Sequence, residues 1–279
     1  MPFFKAPDGT ELAYRTVGRG APLVCLAGGP FRDAAYLGDL GGLSAFRRLV
    51  LLDLRGTGRS ATPDDPASYR CDRLVADVEG LRVHLGLDTL DLLAHSAAAN
   101  LAMRYAERHP QRIGRLLLIT PGTDAAGVVV TVADRRELLP LRAGEPWFEA
   151  ASAAFDAVAT GTATEDDWQA LAPLTYGRWD AQTQAHRAAQ ASQWNERAAQ
   201  VFGCEGDLDP EATRAGLAAL PAPVLVLAGE LDLATPPGVV ARVAELCANG
   251  VTVVQPGAGH YPWLDDAGAF TATVTAFLS

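Results

Sequence analysis

One serine, one histidine and one acid in this 279-residue chain stand where a nucleophile, its base and the group that orients the base would be needed. The apolar run Leu90 to Ala94 leads into His95-Ser96-Ala97-Ala98 and then directly into a helical pattern. A serine at such a strand-to-helix turn is pushed above the sheet, with a helix N-terminus beneath it to stabilise developing negative charge. The turn is strained and its flanks must be small. The usual pattern is G-x-S-x-G, and here Ala94 and Ala98 take the places of the glycines. Taken alone, Ser96 also reads as an ordinary helix cap. Gly229-Glu230-Leu231-Asp232 follows the apolar run Pro223 to Ala228, and Gly257-Ala258-Gly259-His260 follows Val251 to Gln255. Both acids and the histidine therefore fall just past the C-terminal ends of strands, the edge at which ligands of open α/β sheets bind.

In this arrangement His260 takes the proton of Ser96, Asp232 orients the imidazole, and backbone N–H groups meet the tetrahedral oxyanion. Ala97 would supply one such N–H. The second is expected from Ala27-Gly28-Gly29-Pro30, after the run Pro22 to Leu26, with Gly29 the best candidate because glycines let backbone approach a substrate closely. By itself the same segment reads as a Gly-Pro turn. The chain has five histidines. His84 lies in a predicted helix, His109 precedes Pro110, His186 falls in the middle segment and His95 adjoins the nucleophile, which leaves His260 as the base.

The elements that must position these residues follow from hydrophobic patterning. Apolar runs at Glu11 to Val17, Pro22 to Leu26, Arg48 to Leu54, Leu90 to Ala94, Arg115 to Thr120, Pro223 to Ala228 and Val251 to Gln255 predict strands. Several are continuously apolar, as in a parallel sheet covered on both faces. Cys71 to Leu85, Ala97 to Arg108 and Val239 to Cys247 carry helical spacing. The order after an opening hairpin is that of a mostly parallel, doubly wound α/β fold. Residues 121–210 interrupt it with helical stretches such as Trp147 to Ala159 and Ala185 to Val201, too long for a loop in a compact domain. The expected organisation is a core domain of residues 1–120 and 211–279 carrying a helical cap, or lid, of residues 121–210.

Composition narrows the partners. The net charge of −10 argues against nucleic acid and anionic membranes. No apolar span reaches the length of a membrane helix, and Met1 to Arg15 lacks the apolar stretch of a signal peptide, so a cytoplasmic protein is expected. Cys25, Cys71, Cys204 and Cys247 are scattered, without metal-ligand or redox spacing. No metal and no cofactor is expected, and the partner is a small-molecule substrate. Within the predicted lid, 14 acids face six arginines, so a net of −8 sits over the Ser96 site. That asymmetry favours cationic or amine-bearing substrates.

The run Asp53-Leu54-Arg55-Gly56-Thr57-Gly58-Arg59-Ser60, with Gly28-Gly29-Pro30, His95-Ser96, Gly-Glu-Leu-Asp at 229–232 and Gly-Ala-Gly-His at 257–260, resembles the α/β-hydrolase superfamily. The order Ser, Asp, His along the chain is also that of the superfamily. The paired glycines before proline and the Asp-x-Arg-Gly-x-Gly-x-Ser turn are similar to proline iminopeptidases, and the resemblance implies that this turn is structural. Iminopeptidases read H-G-G-P-G and G-G-S-W-G; this chain has Ala27 for the histidine, Phe31 for the last glycine, and alanines after the serine. Some superfamily members place their acid after the strand matching Arg115 to Thr120, which makes Asp124 a competitor. Asp232 is preferred because its strand is cleaner and its separation from His260 is the commoner one.

The resemblance implies a serine hydrolase acting on a small ester or amide through an acyl-enzyme, iminopeptidase-like. A carboxylesterase or lactonase, or a non-hydrolytic sensor on the same scaffold, is the alternative. Trp194-Asn195-Glu196 resembles the context with which iminopeptidases hold a substrate's free amine, and a solvated helix acid is the plainer reading of Glu196. Gly28, Phe31, His95, Trp194, Glu196 and Tyr261 are the expected substrate-binding residues.

Overall fold

The computed structural model describes residues 1–203 and 206–279. Eight strands form one sheet: β1 (Phe3–Lys5), β2 (Glu11–Val17), β3 (Pro22–Leu26), β4 (Arg48–Leu52), β5 (Leu90–His95), β6 (Ile113–Ile119), β7 (Val224–Gly229) and β8 (Gly250–Gln255). The spatial order is β1-β2-β4-β3-β5-β6-β7-β8, with the β1–β2 and β2–β4 pairs antiparallel and every pair from β4 through β3 to β8 parallel. The opening hairpin is β1 with β2. β1, three residues long, is too short to leave a periodic signal and was not expected from the sequence.

The continuous apolar runs are explained by burial on both faces. Val24, Leu26, Leu92, Ala94, Leu116, Leu118, Val224 and Val226 point into one core, and Leu23, Cys25, Leu93, Leu117, Leu225 and Leu227 into the other. Helices α1 (Cys71–His84) and α2 (Ala98–Arg108) cover the first face through residues such as Leu74, Val78 and Leu101. A strand flanked by helices on both sides must be apolar at every position, so alternation disappears.

Between β6 and β7 the chain contains α3 (Val132–Arg136), α4 (Phe148–Thr160), α5 (Glu165–Ala170), α6 (Ala181–Gln193), α7 (Glu196–Val201) and α8 (Pro210–Ala219). Leu139, Ala151, Phe155 and Leu174 form a small core of their own with Leu233 from the β7 side. The chain then closes with α9 (Pro237–Glu245) on the first face, and α10 (Pro262–Asp265) and α11 (Ala267–Phe277) on the second.

The stretch Ala185 to Val201, expected as one helix, is two. The Trp194 backbone bridges to Arg32, Asp33 N–H donates to the Gln193 carbonyl at 2.8 Å, and Asn195 N–H donates to the Phe31 carbonyl at 3.0 Å. Asn195 then caps the next helix through its side chain, at 3.0 Å from Ala198 N. Long-range hydrogen bonds to the loop after β3 outweigh the local helical preference here.

Cys25, Cys71 and Cys247 are buried free thiols, and Cys204 lies outside the described residues. Among the described residues no helix is long and apolar enough to cross a membrane, and no cluster of His, Cys, Asp and Glu could hold a metal ion.

Candidate active site

β5 ends by delivering Ser96 with φ +55°, the left-handed region that non-glycine residues enter at a cost of roughly 1–2 kcal/mol. The turn is over-determined. Ser96 N–H donates to the Ile119 carbonyl at 3.0 Å, and the Ser96 carbonyl accepts from Ala99 and Gly122 N–H, each at 2.9 Å. Ala94 and Ala98 are buried at its flanks, so the extra methyls pack into the core without forcing the elbow open.

β7 and β8 bring the other two groups to the same edge. His260 Nε2 lies 2.8 Å from Ser96 Oγ, and His260 Nδ1 lies 2.8 Å from Asp232 Oδ2. The Asp232 carboxylate is buried and also accepts Ala234 N–H at 2.9 Å, Thr235 N–H at 3.3 Å and the Thr235 hydroxyl at 2.7 Å. Because an ionised carboxylate only accepts, Nδ1 carries the proton and Nε2 is left free to receive that of Ser96. Asp124 sits elsewhere and accepts from Asn100 Nδ2 at 3.2 Å. The Asp53 to Ser60 turn is structural: Ser60 Oγ donates to the Asp53 carbonyl at 2.6 Å, and Arg55 is held between Asp77 and Asp8.

The loop after β3 lies against the elbow. A Cβ on Gly28 would stand 2.5 Å from the His95 carbonyl and 2.9 Å from Ser96 Cβ, so only glycine permits the approach. Gly29, at φ +121°, follows in a conformation that side chains disfavour. Neither Gly29 N–H nor Ala97 N–H has an acceptor among the described residues, and Gly29 lines the cavity above Ser96. Gly28 N–H is instead committed to the Tyr36 hydroxyl at 2.7 Å.

That cavity is about 440 Å³ and is lined by Ser96, His260, Tyr261, Thr175 and Tyr176, by apolar Phe155, Val158, Trp168, Leu171, Leu174 and Leu233, and by Arg135, Arg187 and Gln190. Tyr261 is placed in it as expected. Five other expected contacts are not, Gly28 among them because its N–H is held by Tyr36. His95 is buried, its Nε2 2.8 Å from the His260 carbonyl and its Nδ1 2.6 Å from the Tyr36 hydroxyl. The carbonyl can only accept, so Nε2 carries the proton, Nδ1 accepts from Tyr36 O–H, and the tyrosine oxygen is free to accept from Gly28. Burial, with the neighbouring His260 adding to it, holds the His95 pKa well below its usual value, which matches a neutral ring. His95 therefore braces the site from beneath. Phe31 is fully buried against Tyr69 and Phe202, at φ +59°, the conformation glycine favours. Trp194 turns its indole N–H to the Pro30 carbonyl at 2.8 Å. Glu196 is exposed in the first turn of α7 and does not line the cavity. Both follow from the Trp194 break, which anchors the segment on the loop after β3.

Among the described residues, the acids of 121–210 do not line the cavity either. Asp134, Asp167 and Asp180 cap the N-termini of α3, α5 and α6, Asp207 accepts Cys71 and Asp72 N–H at 2.7 Å each, and Asp156 and Glu145 pair with Arg136 and Arg142. Tyr36, Thr235, Arg135 and Arg187 were missed from the sequence, where each is an isolated polar residue outside any motif.

Residues 42–267 match the family model described as alpha/beta hydrolase fold. The chain belongs to this family. It is 38% identical over 125 residues to a proline iminopeptidase of Lactobacillus acidophilus, covering 42% of this chain and 41% of that protein. The alignment thus spans about two fifths of that relative's length. Among solved structures, the esterase EaEST from Exiguobacterium antarcticum superposes with a TM-score of 0.75 at 20% identity, covering 99% of both chains. Est816, described as an N-acyl homoserine lactone degrading enzyme, does so with a TM-score of 0.71 at 21% identity, covering 99% of this chain and 100% of the other. At those identities the two structures speak for the fold.

Proposed function

We propose that this α/β hydrolase cleaves small esters through an acyl-enzyme on Ser96, with residues 121–210 acting as the lid over its cavity. The observation that carries this reading is the continuous contact from Asp232 through His260 to Ser96, directly under that cavity. The Ser96 proton passes to His260 Nε2 as Oγ bonds to the substrate carbonyl carbon. The carbonyl oxygen becomes an oxyanion met by Gly29 and Ala97 N–H. His260 then gives its proton to the leaving alcohol as the C–O bond breaks. Water, deprotonated by the same nitrogen, releases the acid and restores Ser96.

An ester is favoured over a peptide with a free N-terminus because, among the described residues, no carboxylate lines the cavity to pair with an ammonium group, and Glu196 is exposed outside it. The local identity to proline iminopeptidases keeps aminopeptidase activity as the second reading. Turnover of p-nitrophenyl esters by the wild type, abolished in Ser96→Ala, tests the first; no turnover by a folded wild type overturns it. Hydrolysis of prolyl arylamides that is lost in Glu196→Gln would reinstate the second.

A further inference from the structure

The lid carries most of the negative charge of the protein, yet the side chains it turns toward Ser96 are of the opposite sign. Arg135 from α3 and Arg187 from α6 line the cavity, and among the described residues neither guanidinium has an acid within ion-pair distance. Arg187 Nη1 donates to Gln190 Oε1 at 2.7 Å, a neutral acceptor on the same wall. One layer behind, Arg32 is 3% exposed and is also held by neutral acceptors alone: Gln193 Oε1 at 2.9 Å, the His186 carbonyl at 2.9 Å and the Tyr261 hydroxyl at 3.4 Å. The half-buried Arg135 and Arg187 and the buried Arg32 thus place three cations about one largely apolar pocket with no acid in direct ion-pair contact among the described residues, Asp134 acting on Arg135 only at longer range. For Arg32 this departs from the rule that buried charges are paired.

We propose that the cavity is completed by the substrate: Arg135 and Arg187 bind an anionic substituent, carboxylate or phosphate, on the acyl chain of an ester whose carbonyl lies at Ser96. The proposal rests on the hydrolase reading above. Planar guanidinium groups match both anions through paired N–H donors, and Phe155, Leu171 and Leu233 would hold the methylenes between the two ends. The net charge of −10 does not oppose this. At 0.1 M salt the screening length is about 10 Å, so acids spent on helix caps and surface pairs act weakly on a ligand that touches the arginines. The chemistry is the reverse of the amine preference suggested by the net charge of residues 121–210.

The test compares p-nitrophenyl esters of matched length ending in a carboxylate (the glutarate half-ester), a phosphonate, a methyl group and an amine, in the wild type and in Arg135→Gln/Arg187→Gln. In parallel, tryptophan fluorescence follows glutarate binding to Ser96→Ala, Trp168 being in the cavity wall. The wild type should favour one or both anionic esters over the methyl ester in kcat/KM by tenfold or more. The relative rates of the first two tell carboxylate from phosphate. The preference should fall to within about threefold in the double glutamine variant, and Arg135→Lys/Arg187→Lys, which keeps both charges, should retain part of it. A wild type that treats all four esters alike, prefers the amine, or keeps its anion preference without the arginines overturns the proposal. Turnover of the methyl ester without glutarate binding sinks the anion site and leaves the hydrolase reading intact. Saturable glutarate binding, lost with both arginines, in a protein that cleaves none of the esters sinks the hydrolase reading and leaves the anion site intact.

Discussion

Replacing Tyr36 with phenylalanine removes one oxygen that serves two buried groups at once. The hydroxyl donates to His95 Nδ1 at 2.6 Å and accepts from Gly28 N–H at 2.7 Å, and Tyr36 itself is 5% exposed. Each orphaned group costs about 1–3 kcal/mol, so the variant should lose roughly 2–6 kcal/mol. At about 2–4 °C per kcal/mol for domains of 150–250 residues, the melting temperature should fall by at least about 4 °C. The same hydroxyl fixes the Gly28-Gly29 segment that offers the oxyanion donor, and its partner His95 holds the His260 carbonyl at 2.8 Å. Loss of a whole oxyanion donor costs about 10²–10³ in kcat, and a donor displaced but still present should cost about tenfold, with KM changed much less. Differential scanning calorimetry and p-nitrophenyl ester kinetics on the two proteins measure both effects. A melting temperature within about 1 °C of the wild type together with an unchanged kcat would refute the assignment of Tyr36 as the strut between oxyanion loop and base.

The remaining expectations can be read with the same two assays. Asp232→Asn keeps the shape of the site but not the acceptor that holds the His260 tautomer, and should lower kcat by about 10⁴ while the protein stays folded; a loss below tenfold would contradict that role. Burial, with the Arg32 charge beside it, lowers the His186 pKa from the usual 6.5 to about 4. The unfolded chain therefore binds the extra proton first, and His186 makes stability fall as pH drops from about 6.5 to about 4; denaturant midpoints at pH 7 and 5 should diverge less in His186→Gln than in the wild type, and parallel behaviour would contradict the shift. Asp77→Asn leaves the buried Arg55 with the half-exposed Asp8 as its only acid among the described residues, and should destabilise by about 3–5 kcal/mol in urea titrations, an effect under 1 kcal/mol being evidence against a paired core charge.

What the sequence carried and what it withheld divide along a physical line. Leu90 to Ala94, Pro223 to Ala228 and Val251 to Gln255 are strongly apolar runs ending in small or polar residues, so the positions of Ser96, Asp232 and His260 at one sheet edge could be read directly. The side chains of residues 121–210 could not. Their acids count the same in a net charge whether they cap a helix, as Asp167 and Asp180 do, or face a ligand. Trp194 and Glu196 were misplaced because the break between α6 and α7 is set by hydrogen bonds to Pro30 and Phe31, more than 160 residues away in sequence. The place of His95 beside Ser96 suggests a substrate contact, but Ser96 lies past the end of β5 at φ +55°, where the turn lifts its hydroxyl to the cavity while the His95 ring stays in the core beneath it.

The central claim is that Ser96 is a nucleophile. Incubation of the wild type and Ser96→Ala with a fluorophosphonate, followed by peptide mass spectrometry, tests it without any choice of substrate. One phosphonyl adduct per chain, located on Ser96 and absent from the folded alanine variant, is the result expected. A folded wild type that takes up no label, or one labelled elsewhere with Ser96 unmodified, would contradict the account.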